Sequence, residues 1–326
     1  MRIGIVGYFG WGNYGDELFL QIHHQIFAGH ELITFHDPIK NELLPNVDQL
    51  VESVDAIVIG GGDLLMPWFK SWLYFDERFL TKPVFIFGVG VPDRGISPDP
   101  AVLEHYQKFL SHPSVKLFAC RDQESIVWIQ SHLKLNIEIL FYPDMVLSLA
   151  FPQCLVESRS VGVVLRNQAT YDNVELLKVA NLASQFGYSL KLILLGTEGI
   201  TLADDYQALQ HVRIPNCEIV VRDSTLLLSK EIASCKYLLS MRFHGVIAAY
   251  KSGVPFISLN IESKFTSFMM QTGNGQYSSY WTDENLSTKF ERLVYEGTDL
   301  SKRTSLSDAA KNGLTKLTQS VLAYGL

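Results

Sequence analysis

The stretch YLLSMRFHGVIAAYKSG, residues 237–253, carries the reading on which the fold turns. Four apolar or small residues, Tyr237-Leu238-Leu239-Ser240, have the length and composition of a buried strand. The segment from Gly245 onward reads as a helix that stops at Gly253, ahead of Pro255. Strand and helix are joined directly by Met241-Arg242-Phe243-His244, so His244 is expected in the first turn of the helix. Backbone N–H groups in a first turn lack intrahelical acceptors and the helix dipole is positive there, which suits a phosphate or a carboxylate. Arg242 adds a fixed charge beside them. The same residues also fit a purely structural role, with His244 capping the helix and Arg242 held in an ion pair.

Reading outward, the chain repeats this strand-then-helix unit. RIGIVGY begins the series and is followed by the turn GYFGWGNYGDE and the helical pattern DELFLQIHHQIF. AIVIGGGDLL, PVFIFGVGV, KLFACRD and IEILFYPD continue it, each a strand ending in glycines or charged residues. The polar, proline-containing segment FPQCLVESRS, residues 151–160, reads as a linker. A second series follows in VGVVLR, a helix over 173–186, SLKLILLG, CEIVV, KYLLSMR and PFISLNI, closed by amphipathic helices over 283–296 and 300–326. Alternation of this kind predicts an α/β protein of two doubly wound, Rossmann-like domains, 1–152 and 158–326, facing across a cleft. In such sheets ligands bind outside the carboxyl ends of the strands. Gly60, Gly61, Gly62, Arg121 and Asp144 fall there in the first half, and Arg166, Arg242, His244 and Lys264 in the second. Together they would make a cationic site with one imidazole, fit for a polyanionic small molecule.

Two features of the first loop need weighing. Gly10, Gly12 and Gly15 spell a literal GxGxxG, and Asp37 stands where a nicotinamide-binding domain keeps its ribose-binding acid. Against this, Tyr8 and Phe9 separate the strand from the first glycine, and the bulky Trp11 and Tyr14 line the loop. The other account is a loop in which Asn13, Gly15 and backbone amides near Asp16 meet a ligand at a helix N-terminus. The triple glycine likewise fits either close approach to a ligand or a tight turn.

Composition narrows the classes. With 47% hydrophobic and 19% charged residues the 326-residue chain is globular, and its length suits two cores. A net charge of −7 without a Lys/Arg cluster argues against nucleic acid as a partner. No apolar run approaches the roughly 20 residues of a membrane span, and the opening MRIGIVGYFG breaks too early for a signal-peptide core, so a cytoplasmic protein is expected. Cys120, Cys154, Cys217 and Cys235 form no CxxC pair, which speaks for reduced thiols and no metal site.

GNYGDE, GGGDLL, CRDQES, the aspartate of FYPDM, VVLR and MRFHG occur in this order along nearly the whole chain, and with them the sequence resembles the polysaccharide pyruvyl transferases. The resemblance implies a fold similar to the glycosyltransferase-B type. It implies transfer of the enolpyruvyl group of phosphoenolpyruvate to two hydroxyls of a saccharide, giving a pyruvate ketal and phosphate. The acceptor would be a cell-surface polysaccharide or its precursor, as in exopolysaccharide biosynthesis for the cell envelope, and phosphoenolpyruvate a co-substrate with no further cofactor. His244 of MRFHG and Arg121 of the Arg-Asp pair carry over as the residues for phosphoenolpyruvate binding or catalysis. The first domain would be the acceptor side. Three positions depart from the family pattern: Cys120 replaces a serine, Met145 a proline, and Asp63 a small residue after the triple glycine. None removes a charged group.

Histidine alone among unperturbed side chains titrates near neutrality, as proton transfer to the enolpyruvate methylene requires. Rival readings are a nucleotide-sugar-dependent glycosyltransferase of the same fold and a binding protein that keeps an anion pocket without turnover. Trp11, Tyr14, Trp68, Trp72, Tyr277, Tyr280 and Trp281 could stack on sugar rings or pack in cores. A lipid-linked acceptor would bring the enzyme to the inner membrane face without insertion. The sequence fixes neither the acceptor nor the oligomeric state, and a homo-oligomer is compatible with it.

Overall fold

The computed structural model describes residues 1–71, 73–154, 158–167, 174–212, 214–215 and 217–324. It contains two parallel sheets. The first runs β2-β1-β5-β6-β7-β8, built from β1 (Arg2–Val6), β2 (Glu31–Thr34), β5 (Ala56–Gly62), β6 (Val84–Val89), β7 (Val115–Cys120) and β8 (Ile139–Phe141). The two-residue strands β3 (His36–Asp37) and β4 (Glu42–Leu43) form a separate hairpin. The second runs β11-β10-β9-β12-β13, built from β9 (Ser160–Val164), β10 (Ser189–Ile193), β11 (Cys217–Val220), β12 (Tyr237–Ser240) and β13 (Phe256–Ser258). In each sheet the order reverses beside the first strand, between β1 and β5 and between β9 and β12, and such a reversal opens a crevice at the strands' carboxyl ends.

The central strands are apolar throughout because both faces of a parallel sheet are covered. Ile57, Val58, Ile59, Phe85 and Ile86 are fully buried in the first sheet, and Val161, Leu238 and Leu239 in the second. The first sheet is accompanied by α1 (Tyr14–Ile26), α2 (Val47–Ser53), α3 (Pro100–Leu110) and α4 (Gln123–His132). Asp99 and Asp122 cap α3 and α4 by accepting from the amides of Ala101 and Ser125. The later helices are α5 (Val174–Gln185), α6 (Gly199–His211), α7 (Thr225–Ala233), α8 (Phe243–Ser252), α9 (Ser263–Gln271), α10 (Leu286–Glu296) and α11 (Arg303–Leu322). Helix α8 ends at Gly253 in the left-handed conformation, φ 76°, as its sequence predicts.

The compact units differ from the expected division at two places. One comprises Met1–Gly10, Phe19–Ser148 and Leu306–Leu326, the other Trp11–Leu18 and Leu149–Ser305. The last helix therefore returns to the first unit. Gly313 packs on Tyr142 and Phe87, Ser307 Oγ donates to Leu147 O at 2.9 Å, and Tyr324 meets Phe85 edge-on. The start of α1 belongs instead with the second unit, for reasons that lie in its loop.

Within the first unit His23 is fully buried, flanked by Phe9 at 5.8 Å and Phe27 at 6.4 Å between ring centroids. Burial pushes its pKa down to about 4, with the Gly60 backbone opposing the shift. The folded state therefore holds His23 neutral where the unfolded chain takes up a proton, so stability is lost as pH falls from the ordinary histidine range toward 4. Between pH 7 and 5 this costs about 2 kcal/mol. A His23→Leu variant should lose less unfolding free energy over that interval than the parent, measured by urea denaturation at both pH values.

Candidate active site

The second unit gathers its polar groups along one sheet edge. Val164, Ser240 and Ser258 lie side by side on β9, β12 and β13, and two residues beyond each stand Arg166, Arg242 and Asn260. The Ser240 hydroxyl ties down the bend after β12: its Oγ accepts from Arg242 N at 3.2 Å and donates to Arg242 O at 2.8 Å. Phe243 anchors the start of α8 by packing edge-on against Phe265 and Phe268. His244 follows in the first turn, half-buried, with Nε2 shielded from solvent. No side-chain cap closes that helix start.

The ring of His244 lies against the loop that the literal GxGxxG occupies. A side-chain carbon added to Gly15 would overlap Nδ1, Cγ and Cε1 of the imidazole. Gly15 is thus a glycine because His244 fills the space above it, and its amide is occupied by Asn13 Oδ1 at 3.2 Å. The nicotinamide alternative loses its acid as well, since Asp37 Oδ1 accepts from the amides of Ile39 and Lys40 in its own turn. Asn13 pairs with Gly196 as an isolated bridge and accepts through its carbonyl from Glu17 N at 2.9 Å, which starts α1. Asp16 is half-buried in that first turn.

Arg242 and the Arg166–Lys264 pair serve different surroundings. The Arg242 side chain, 12% exposed, bonds Asp205 and lies 3.9 Å from Asp204. Arg166 and Lys264 flank Glu262 at 3.8 and 3.1 Å, with side chains 36% and 16% exposed. Burial works against ionisation of Glu262, yet Lys264 and Arg166 hold its pKa below the usual glutamate range. Two cations thus lie beside one carboxylate at a partly open edge.

In the first unit Arg121 is spoken for. Its side chain is 3% exposed and bonds Asp63, with Asp144 at 3.5 Å and Asp122 at 3.7 Å. These residues follow β5, β7 and β8, and Gly90 after β6 leaves room for the guanidinium to reach across. Burial pushes the Asp122 pKa up against the pull of Arg121. The guanidinium expected to meet a phosphate thus lies within 3.7 Å of three carboxylates. Gly60, Gly61 and Gly62 end β5 inside the fold, Gly60 against the Phe87 carbonyl and Gly61 against the Phe19 ring. Sequence reasoning did not single out Asp205, whose partner Arg242 is 37 residues away, nor Glu262, which pairs with the nearby Lys264. Of the aromatics, Trp11, Tyr14, Tyr277 and Trp281 are buried, Trp68 stacks under Arg94, Tyr280 is 39% exposed, and Trp72 lies outside the described residues.

Two Rossmann-like α/β units with charged groups on the carboxyl edges define a protein of the glycosyltransferase-B-like class. Solved structures share this fold: S. aureus MnaA in its UDP co-structure (TM-score 0.59, 7% identity, 98% of this chain and 95% of that one), Neisseria meningitidis UDP-GlcNAc 2-epimerase bound to UDP-GlcNAc (0.58, 12%, 99% and 100%), and a glycosyltransferase from Rickettsia africae (0.56, 10%, 98% and 98%). No curated protein matches the sequence. The profile of the polysaccharide pyruvyl transferases matches residues 13–263, and the chain belongs to that family. Among the described residues no helix is long and apolar enough to cross a membrane.

Removing Arg121 would leave Asp63, Asp122 and Asp144 close together without their counter-ion. Arg121→Ala is expected to destabilise the protein by about 3–5 kcal/mol. Thermal unfolding checks this, and an unchanged melting temperature would show the guanidinium to be dispensable to the fold.

Proposed function

We propose that the protein transfers the enolpyruvyl group of phosphoenolpyruvate to two hydroxyls of a saccharide belonging to a cell-surface polysaccharide or its precursor. The observation that carries this reading is the seating of His244 on Gly15, which joins two motifs of the family span into one site on the unit that also carries Arg166 and Lys264. In the proposed reaction His244 delivers a proton to the methylene carbon while a sugar hydroxyl attacks the central carbon and gives up its own proton. The bond from that carbon to the phosphate oxygen then breaks, phosphate leaves, and the second hydroxyl closes the ketal with loss of its proton. Arg166 and Lys264 hold the donor's carboxylate and phosphate, the Arg fork suiting either group. Phosphoenolpyruvate is a co-substrate, and the scheme needs no cofactor. Arg121 serves here as a buried counter-ion that shapes the first unit's edge.

The test is phosphate release from phosphoenolpyruvate with a panel of saccharide acceptors, with mass spectrometry of the product, run beside sugar transfer from nucleotide sugars. A ketal-bearing saccharide is expected, and sugar transfer in its place would overturn the reading. His244→Ala should lower turnover at least about 100-fold. Lys264→Ala should raise KM for phosphoenolpyruvate about tenfold with a smaller change in kcat, as loss of ground-state binding does.

A further inference from the structure

Asp205 has no place in the scheme above, yet it is the most deeply buried carboxylate in the second unit's site region, at 0% exposure within α6. A buried carboxylate is costly unless every oxygen is engaged. Here Oδ2 accepts from Gly196 N at 2.7 Å, and Oδ1 is bonded by Arg242 Nη2. Each partner leads to His244 by a different route.

The first route runs through the chain. Arg242 is the N-cap residue of α8, and His244 lies two residues further along in its first turn. Holding the guanidinium therefore holds the entry of the helix that carries the imidazole. The second route runs through the wall behind the ring. Gly196 pairs with Asn13, and its neighbours complete the dock: Leu195 O accepts from Tyr14 N at 3.1 Å, and Thr197 N donates to Gly12 O at 2.8 Å. A hydrogen bond of 2.7 Å between Tyr14 OH and Ser229 Oγ fastens the same segment from its side chain. The next residue is Gly15, against which the imidazole lies. The ring and its wall are thus located by two hydrogen-bonded paths that meet on one carboxylate.

We propose that Asp205 is a positioning residue for His244, acting through Arg242 on the helix that carries the imidazole and through Gly196 on the Gly12–Gly15 loop that backs it. This rests on the reading of His244 as the proton-transferring residue. Misplacement of such a group by about 1 Å lowers turnover on the order of 100-fold with substrate binding nearly intact.

Asp205→Asn and Asp205→Ala, with Gly15→Ala as a direct disturbance of the wall, are compared with the parent in two measurements. In the first, kcat should fall about 10- to 100-fold while KM for phosphoenolpyruvate moves less than about threefold, and adding Asp205→Asn to His244→Ala should lower the residual rate no further. In the second, the titration of the His244 ring is followed by NMR on histidine-labelled protein, its resonance assigned by its loss in His244→Ala. Asp205→Asn and Gly15→Ala should each displace that titration midpoint. The NMR readout uses no substrate, so it reports on the positioning even if phosphoenolpyruvate is not turned over, an outcome that would count against the proposed reaction alone. Asp205→Asn keeps the size of the side chain and guards against a variant that fails to fold. A wild-type His244 titration in a folded Asp205→Asn protein would overturn the proposal, as would a further loss of rate when Asp205→Asn is added to His244→Ala.

Discussion

The imidazole of His244 occupies the volume that any side chain at position 15 would need, and this exclusion ties the two best-marked stretches of the sequence together. Nothing in GNYGDE or MRFHG alone requires the other. Once both are folded, the ring cannot take its place unless residue 15 is glycine, and the loop cannot keep its place without the dock at residues 195–197. Close packing makes such a contact all-or-none, because an interior at crystal-like density has no slack to absorb a methyl group. It also accounts for the grouping of Trp11–Leu18 with the second unit, since that segment's hydrogen bonds run to Leu195, Thr197 and Ser229.

Charge along the two sheet edges is sorted by burial. Arg121 and Arg242, 3% and 12% exposed, are bonded to Asp63 and to the fully buried Asp205. Those pairs offset part of the cost of desolvating the guanidinium groups, so moving either onto a ligand would cost the pairing with Asp63 and Asp144 or with Asp205. Arg166 and Lys264 both lie beside Glu262, at 3.8 and 3.1 Å, and keep more contact with solvent. Three arginines that look alike in the sequence thus differ in burial, from 3% exposed at Arg121 through 12% at Arg242 to 36% at Arg166.

The strand and helix pattern was legible because it rests on local periodicity. The βα units around Ala56–Gly62, Val84–Val89 and Tyr237–Ser240 appear where their apolar runs predict them, and Gly253 ends its helix as expected. What could not be read was non-local. The C-terminal helix carries an amphipathic pattern that says it packs but not on what, and it joins the first unit through Tyr142, Phe87 and Leu147. The literal GxGxxG was ambiguous for the same reason: glycine spacing records that something approaches the backbone closely, and only the fold shows that at Gly15 it is a histidine ring.

Asp63 links the sequence pattern to the chemistry most directly. It directly follows the triple glycine that ends β5, and it is bonded to the Arg121 fork. A side chain without a carboxylate at 63 would leave Asp144 and Asp122 at 3.5 and 3.7 Å from the guanidinium and remove one negative charge from beside it. With aspartate there, a third carboxylate engages that fork, whose side chain is 3% exposed. In the reaction proposed above, donor recognition is assigned to Arg166 and Lys264, on the edge of the sheet that also carries His244, so that anion binding and proton transfer would be organised by one sheet.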